Sequence, residues 1–468
     1  KRVRITTVNV LKFGGTSMKD ASAWLGVLTI VKNAGPGTIT VVSATSGTTN
    51  SLILSAETAK NGDLESARTL LSEIKQRHLG LIHDFFDQSE VVNPDASTEV
   101  CERHIASLMT LLDNYLLGIH TLGELTAKSL DAVCSIGERL SSFMLAECAK
   151  AIGMDAVWVD AAEVMKTDAQ FGAATPDMAS IFERAKILSH HAKTGKFSIL
   201  GGFYGSDANG TITTLGRGGS DYSASIFGLA TGADAIEIWT DVSGMFTSDP
   251  RFIRDTFSIK EISFNEAAEL AYFGAKVLHP ATIQPAVEKN IPVYVKNTFE
   301  PNHPGTRIFS DAQSESPVRA IAFKKDITVI TVISSRMLLA WGFLAKVFSI
   351  FEKHKVSVDL VTTSEVSISM TVDKKVSLDA VIKDLSEVGT VKIYHDQALI
   401  SLVGKDLLSS RGIAATAFES LATYPIRMIS QGSSDINLSV VVENSHAIEA
   451  VQALHDAFFP NNHTPEFT

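Results

Sequence analysis

Three stretches of this sequence set charged and hydroxyl side chains beside glycines, the combination that phosphate and carboxylate chemistry asks for. In Lys12-Phe13-Gly14-Gly15-Thr16-Ser17 a cation and two glycines end an apolar run. Backbone N–H groups there can meet phosphate oxygens, because glycine permits close approach and a following helix N-terminus favours anions. Plain turn chemistry is the competing reading of a Gly-Gly pair after a strand. Thr213-Thr214-Leu215-Gly216-Arg217-Gly218-Gly219-Ser220-Asp221 follows an Asn209-Gly210 turn and opens an apolar helix. Its guanidinium suits a carboxylate gripped at two points, and Asp221 suits an ammonium group. A solvated loop in which Arg217 and Asp221 pair with each other is the alternative. Trp239 to Arg251 carries an acid, hydroxyls and a cation after a buried strand, where open α/β sheets bind nucleotides. Asp241 reads equally well as a turn or helix cap.

The elements that must hold these residues are legible in the apolar pattern. Val8 to Leu11, Ile39 to Val42, Ala156 to Val159, Ser198 to Leu200 and Ala235 to Trp239 read as buried strands. Ala21, Trp24, Val27, Leu28 and Val31 form a helical stripe that Gly35-Pro36-Gly37 stops. Repeated strand-loop-helix alternation means α/β with a mostly parallel sheet. Ser263-Phe264-Asn265-Glu266 reads as a helix start with a capping box. Most of the 13 histidines, His279 among them, are read as structural. The chain has no GxxxxGK[ST], and Asp221 breaks the GxGxxG that Gly216-Arg217-Gly218 would begin, so P-loop and dinucleotide-binding folds are set aside.

At 468 residues the chain needs more than one core. Its 45% hydrophobic and 20% charged content, with no uncharged apolar stretch of membrane-spanning length, is that of a soluble globular protein. A net charge of -11 with no run of Lys or Arg speaks against nucleic acid and anionic membranes as partners. Cys101, Cys134 and Cys148 are scattered without CxxC spacing, which implies neither a disulfide framework nor a zinc site and fits a reducing compartment. The amino terminus lacks a signal-peptide core, so a cytoplasmic location is expected, with the plastid stroma as the alternative for a chain whose leader has been removed.

Between Phe299 and Ala320 neither period is sustained, and beyond lies an internal repeat at an offset of 70 residues. Met337 to Asp373 superimposes on Leu407 to Glu443 without gaps, placing Gly342 on Gly412, Phe348 on Phe418 and Glu365 on Asp435. Each copy reads strand, glycine loop, helix, strand, turn, strand, which makes two small α+β modules packed edge to edge. The expected domains are 1–300, a linker at 301–322, a first module at 323–394 with 455–468 as a candidate completion, and a second module at 395–454.

Val10 to Met18, Thr214 to Asp221, Trp239 to Arg251 and Phe273-Gly274-Ala275-Lys276-Val277-Leu278-His279-Pro280, in this order, resemble the aspartate kinases of the amino acid kinase family. The repeat is similar to that family's paired ACT domains. The resemblance implies an amino acid kinase-type α/β/α sandwich followed by two ferredoxin-like ACT domains, and the reaction of ATP with L-aspartate to give 4-phospho-L-aspartate. It implies catalytic roles for Lys12, Asp221 and Arg217, and ATP contacts from Lys12, Phe13, Gly14, Gly15, Thr240, Asp241, Phe246, Arg251, Lys276 and Val277. Gly14 and Gly15 would give N–H groups to phosphates, with Mg2+ carried on ATP and no metal ligand identified in the protein. Aspartate would be held by Ser43, Thr49, Glu138, Arg217 and Gly218. Phe246 stands where many relatives carry Tyr.

The first copy resembles the lysine-inhibited branch, through Phe343 to Phe348 and Val356 to Glu365. L-Lysine is the implied inhibitor, held by Met337, Ala340, Phe343, Leu344, Ser357, Val358, Asp359, Ser364 and Glu365. Trp341 makes S-adenosylmethionine a second candidate. Arg427-Met428-Ile429 replaces Ser357-Val358-Asp359 in the second copy, so the first supplies the main effector contacts. A homodimer through the ACT domains is expected, with a tetramer left open. The rival functions are a kinase for another acidic amino acid, a kinase-dehydrogenase fusion and a non-catalytic amino-acid sensor.

Overall fold

The computed structural model describes residues 8–89, 94–273, 280–310, 312, 316–337, 341–374, 377–432 and 435–460. The chain divides into two compact units. The first comprises Lys1–Met245, Lys260–Phe264 and Val277–Ala312, and the second Phe246–Ile259, Asn265–Lys276 and Gln313–Thr468.

In the first unit, β1 (Asn9–Phe13), β2 (Ile39–Val42), β3 (Ala156–Trp158) and β4 (Phe197–Gly201) are followed by a hairpin of β5 (Tyr204–Ser206) and β6 (Ile212–Thr214). Then come β7 (Ala235–Thr240), β8 (Glu261–Ile262), β9 (Val293–Asn297) and β10 (Thr306–Ile308). Eight of these form one sheet in the order β3-β4-β2-β1-β7-β9-β10-β8. Neighbours run parallel throughout, except that β10 is antiparallel to β9. β1 and β2 are central strands buried on both faces, which is why apolar residues stand at successive positions in them rather than alternating, with Lys12 of β1 and Thr40 of β2 as the buried polar exceptions.

Helix Ala21–Ala34 buries the expected stripe of Ala21, Trp24, Val27, Leu28 and Val31. Asp20 caps its start by accepting from the Ala23 N–H at 2.8 Å, and Gly35, at φ 95, ends it. Long helices Leu64–Gln88, Pro94–Leu122 and Ala127–Ala151 share the same core. Cys101, Cys134 and Cys148 are buried in this unit as free thiols. No helix is long and apolar enough, among the described residues, to cross a membrane.

The second unit is built on β11 (Val318–Ile333), β12 (Val361–Thr363), β13 (Ser367–Asp373), β14 (Thr390–Gly404), β15 (Met428–Ser430) and β16 (Asn437–Glu443). They form a single antiparallel sheet in the order β12-β13-β11-β14-β16-β15. The 70-residue repeat is visible in the backbone. Gly342 and Gly412 start their helices at φ 77 and 86, and β13 and β16 span matching residues. Asp326 and Asp396, at φ 59 and 52, mark the irregularity where β11 and β14 cross from one copy to the other.

The layout differs from the expected boundaries. Residues 318–324 belong to β11 rather than a linker, and they pair with 399–404 inside the second copy. Phe458 and Phe459 pack with that copy's core, not the first's. Residues 246–259 and 265–276, expected within the catalytic domain, belong to the second unit. Thr247 shares a hydrogen bond with His455 at 2.9 Å, Ser248 donates to the Ile321 carbonyl at 2.8 Å, and Ile253 joins the second copy's core. Glu266, read as a capping-box residue, is buried beside Arg319 at 3.4 Å. Each of these ties is long-range, so no local period announces it.

Candidate active site

The carboxyl ends of β1, β2 and β4 surround a cleft of about 250 Å3 lined by Lys12, Ser43, Thr49, Glu138, Phe203 and the segment 216–221. This is where an open parallel sheet leaves room for a ligand, between loops that diverge to either side. Lys12 sits on the buried face of β1, 8% exposed, and pairs with Asp221 at 2.5 Å. Asp221 lies in the first turn of helix Gly219–Thr231. Arg217 is exposed at the rim and has no ion-pair or hydrogen-bond partner among the described residues. The Arg217–Asp221 pairing open on spacing alone is therefore not formed, and the guanidinium is available to an anion.

Glu138 is buried on helix Ala127–Ala151. One oxygen accepts from the Ala44 N–H at 3.1 Å while the other has no partner among the described residues. Burial pushes its pKa up to about 8, against the opposing pull of the Ala44 N–H and the Lys12 ammonium. Gly137 permits the close approach, since a Cβ there would meet the Ala44 Cβ at 2.8 Å. A buried carboxylate oxygen without a partner, facing a cleft, is a socket for an ammonium group.

The loops are braced from below. Asp131, 2% exposed, accepts from the Thr214 N–H and hydroxyl at 2.9 and 2.7 Å and from the Gly172 N–H at 2.9 Å, fixing the approach to Gly216. Gly216 and Gly218, both at φ 75, make the turn that presents Arg217. Phe203 holds φ 71, a strained conformation for a side chain of its size, with its N–H on the Ser223 hydroxyl at 3.0 Å. Beneath the 43–49 segment, Arg77 bonds the Ser46 carbonyl at 3.2 Å and the Thr48 hydroxyl. The buried His78 ring lies 3.2 Å from the Thr45 hydroxyl and 2.7 Å from the Ile74 carbonyl. Burial lowers its pKa to about 4, so it is neutral near pH 7.

Asp131, Arg77, His78 and Phe203 were not singled out in the sequence. The Gly201-Gly202 pair ending β4 was the available signal for Phe203; the other three carry none, because their partners are remote in the chain. The ATP positions fare unevenly. The Gly14 N–H donates to the Trp239 carbonyl at 3.1 Å and is not free for phosphate, since β1 and β7 remain paired there. Phe13 is buried, stacked on Trp239 at 6.0 Å. Thr240 ends β7 and Asp241 follows it in the first unit, while Phe246 and Arg251 belong to the second. Arg251 pairs with Asp249 at 2.6 Å. Lys276, Val277 and His279 lie outside the described residues.

Residues 7–297 match the family model described as amino acid kinase family, and 330–383 with 400–458 match one described as ACT domain. The chain belongs to the amino acid kinase family as an aspartokinase. Lysine-sensitive aspartokinase 3 of Escherichia coli is 36% identical over 467 residues, covering 97% of this chain and 100% of that protein. Chloroplastic aspartokinase 3 of Arabidopsis thaliana is 37% identical over 468 residues, covering 96% of this chain and 81% of that protein. The crystal structure of E. coli aspartokinase III with aspartate and ADP superimposes with a TM-score of 0.81 at 35% identity, over 97% of this chain and 100% of that one. The same enzyme with lysine and aspartate gives 0.79 at 35% identity, over 97% and 99%.

In this aspartokinase the expected effector positions lie on the first ACT copy. Phe343 is buried in that copy's core, with Met337 and Val358 packed against it, while Leu344, Ser357, Ser364 and Glu365 are exposed. Ala340 lies outside the described residues. Both oxygens of Asp359 have partners within the chain: the Tyr272 hydroxyl donates to one and the Lys324 ammonium to the other, both at 2.8 Å.

Proposed function

We infer that this chain transfers the γ-phosphoryl group of ATP to the side-chain carboxylate of L-aspartate, and that L-lysine bound to the first ACT copy lowers that activity. The arrangement of charge in the cleft carries the reading. Glu138 offers a buried oxygen to the α-ammonium, Arg217 an unpaired guanidinium to a carboxylate, and Lys12 a cation to the reacting end. A dicarboxylic amino acid has these three charges. Ser43, Thr49 and Gly218 complete the pocket wall.

The acceptor carboxylate, with a pKa near ~3.9, is already ionised at neutral pH, so no general base is required. One of its oxygens attacks the γ-phosphorus, the bond from phosphorus to the β–γ bridging oxygen breaks, and that electron pair leaves with ADP. Lys12 neutralises charge on the transferring group, and Asp221 holds Lys12 in place. Mg2+ supplies charge neutralisation when bound. It would be carried on the phosphates of ATP. A homodimer through the ACT copies is the proposed assembly. S-Adenosylmethionine at Trp341, which is 99% exposed, is a second candidate effector.

The deciding experiment is ATP-dependent acyl phosphate formation trapped with hydroxylamine. L-Aspartate is expected to react, with L-glutamate and N-acetyl-L-glutamate as the acceptors of the rival kinases, and added L-lysine is expected to lower the rate. Glutamate turnover in place of aspartate turnover overturns the substrate. No turnover of any acceptor leaves the sensor.

A further inference from the structure

Both oxygens of Asp359 are occupied from within the chain. Tyr272 donates its hydroxyl to Oδ1 at 2.8 Å, and Lys324 donates its ammonium to Oδ2 at 2.8 Å. The side chain of Asp359 is 8% exposed, so these contacts are shielded from water and are stronger than a surface ion pair. Both donors also have somewhere else to go. Lys324 is paired with Asp373 at 3.0 Å, and Tyr272 is 45% exposed, so water can take its hydroxyl. Releasing Asp359 therefore strands neither a bare ammonium nor a bare hydroxyl.

The arrangement is confined to one copy. At the matching position of the second copy, 70 residues on, Ile429 stands in place of Asp359 and is 48% exposed. A contact needed only to fold the module would be expected in both copies. We propose that Lys324 and Tyr272 are placeholders on Asp359, holding the hydrogen-bonding positions that the side-chain ammonium of a basic amino-acid effector takes when it binds. This rests on the reading that the first copy binds such an effector. An incoming ammonium replaces one cation on Asp359 with another and shifts Lys324 wholly onto Asp373. Effector affinity is thus set below what a free Asp359 would give. An amino acid with an uncharged side chain cannot make the exchange, because it would leave Asp359 shielded and unpaired.

The test uses the full chain and L-lysine, with norleucine as the analogue of similar shape that lacks the side-chain ammonium. Aspartyl hydroxamate formation is titrated for the wild type, Lys324→Met, Lys324→Arg and Tyr272→Phe, each normalised to its own effector-free rate. Lysine binding is measured in parallel by calorimetry, which does not depend on activity. The half-inhibiting lysine concentration and the Kd are expected to fall about tenfold in Lys324→Met, the scale of one charge-assisted hydrogen bond. They should fall severalfold in Tyr272→Phe and stay at the wild-type value in Lys324→Arg, with norleucine inert throughout. A lysine-inhibited wild type whose Lys324→Met and Tyr272→Phe variants bind lysine no more tightly overturns the placeholder role and leaves the effector reading standing. Absence of lysine binding in the wild type and in every variant overturns both.

Discussion

Glu138 is the residue whose chemistry is most exposed to test. Its pKa is pushed up to about 8 by burial, and its partnerless oxygen is the proposed seat of the substrate ammonium. Only the ionised form attracts that ammonium, so below pH 8 binding must first expel a proton. The KM for aspartate is therefore expected to fall as pH rises from 6.5 to 8.5, by at most about tenfold per pH unit. Steady-state kinetics across that range checks it. Glu138→Gln should raise KM and flatten the profile, and a sloping profile that survives the substitution would place the titration elsewhere. The same shift has a sign for stability. A carboxyl whose folded pKa lies above its unfolded value stabilises the fold most at low pH, and that contribution is lost as pH rises through about 8. Lys12 is the complementary case, held ready by Asp221 at 2.5 Å. Lys12→Met should lower kcat by about 10²–10³ with the circular dichroism spectrum unchanged, the loss typical of one preorganised charge-stabilising group.

Local elements present these residues through a few close approaches. At Gly202, just after β4, an added Cβ would meet the Ser220 Cα at 2.7 Å, backbone that cannot move without carrying Asp221 with it. Gly202→Ala is expected to reduce kcat/KM about a hundredfold while the protein stays folded, because a shift of about 1 Å in a reacting group costs that much. Arg77 works from the other side. It ties Ser46 and Thr48 to helix Leu64–Gln88, and the segment it holds brings to the cleft both Ser43 and, from the first turn of helix Thr48–Lys60, Thr49. Arg77→Ala should raise the KM for aspartate about tenfold with kcat little changed, and Arg77→Lys should restore part of it. A fall in kcat at unchanged KM, as from a smaller folded fraction, would assign Arg77 to stability alone.

In the second unit, β11 and β14 run through both ACT copies, so the two cannot be separated at a strand boundary. Ile400 lies on the part of β14 that belongs to the second copy's core, 0% exposed, opposite Phe323 on one side and Val440 on the other. Ile400→Ala is expected to cost about 2–5 kcal/mol by chemical denaturation. Amide hydrogen exchange should quicken along β11 and β14 in both copies together. Loss of protection confined to β15 and β16 would show the copies to be energetically independent.

Much of this protein is written in local pattern. The buried strands, the stripe of Ala21 to Val31, the glycine that ends it and the 70-residue repeat are matters of period and spacing, which short-range sterics and burial enforce residue by residue. The charges around glycine at Lys12 and Arg217 are legible for the same reason. Which charge meets which was decided by the tertiary structure. Asp221 pairs with Lys12 rather than Arg217, the Gly14 N–H goes to Trp239, and Asp131, Arg77 and His78 brace loops remote from them in the chain. The assignment of 246–259 and 265–276 to the second unit, and of 318–324 to the second copy, follows from contacts across the chain that leave no mark on either segment's own periodicity. A residue type restricts the partners it can satisfy, and only the folded chain chooses among them.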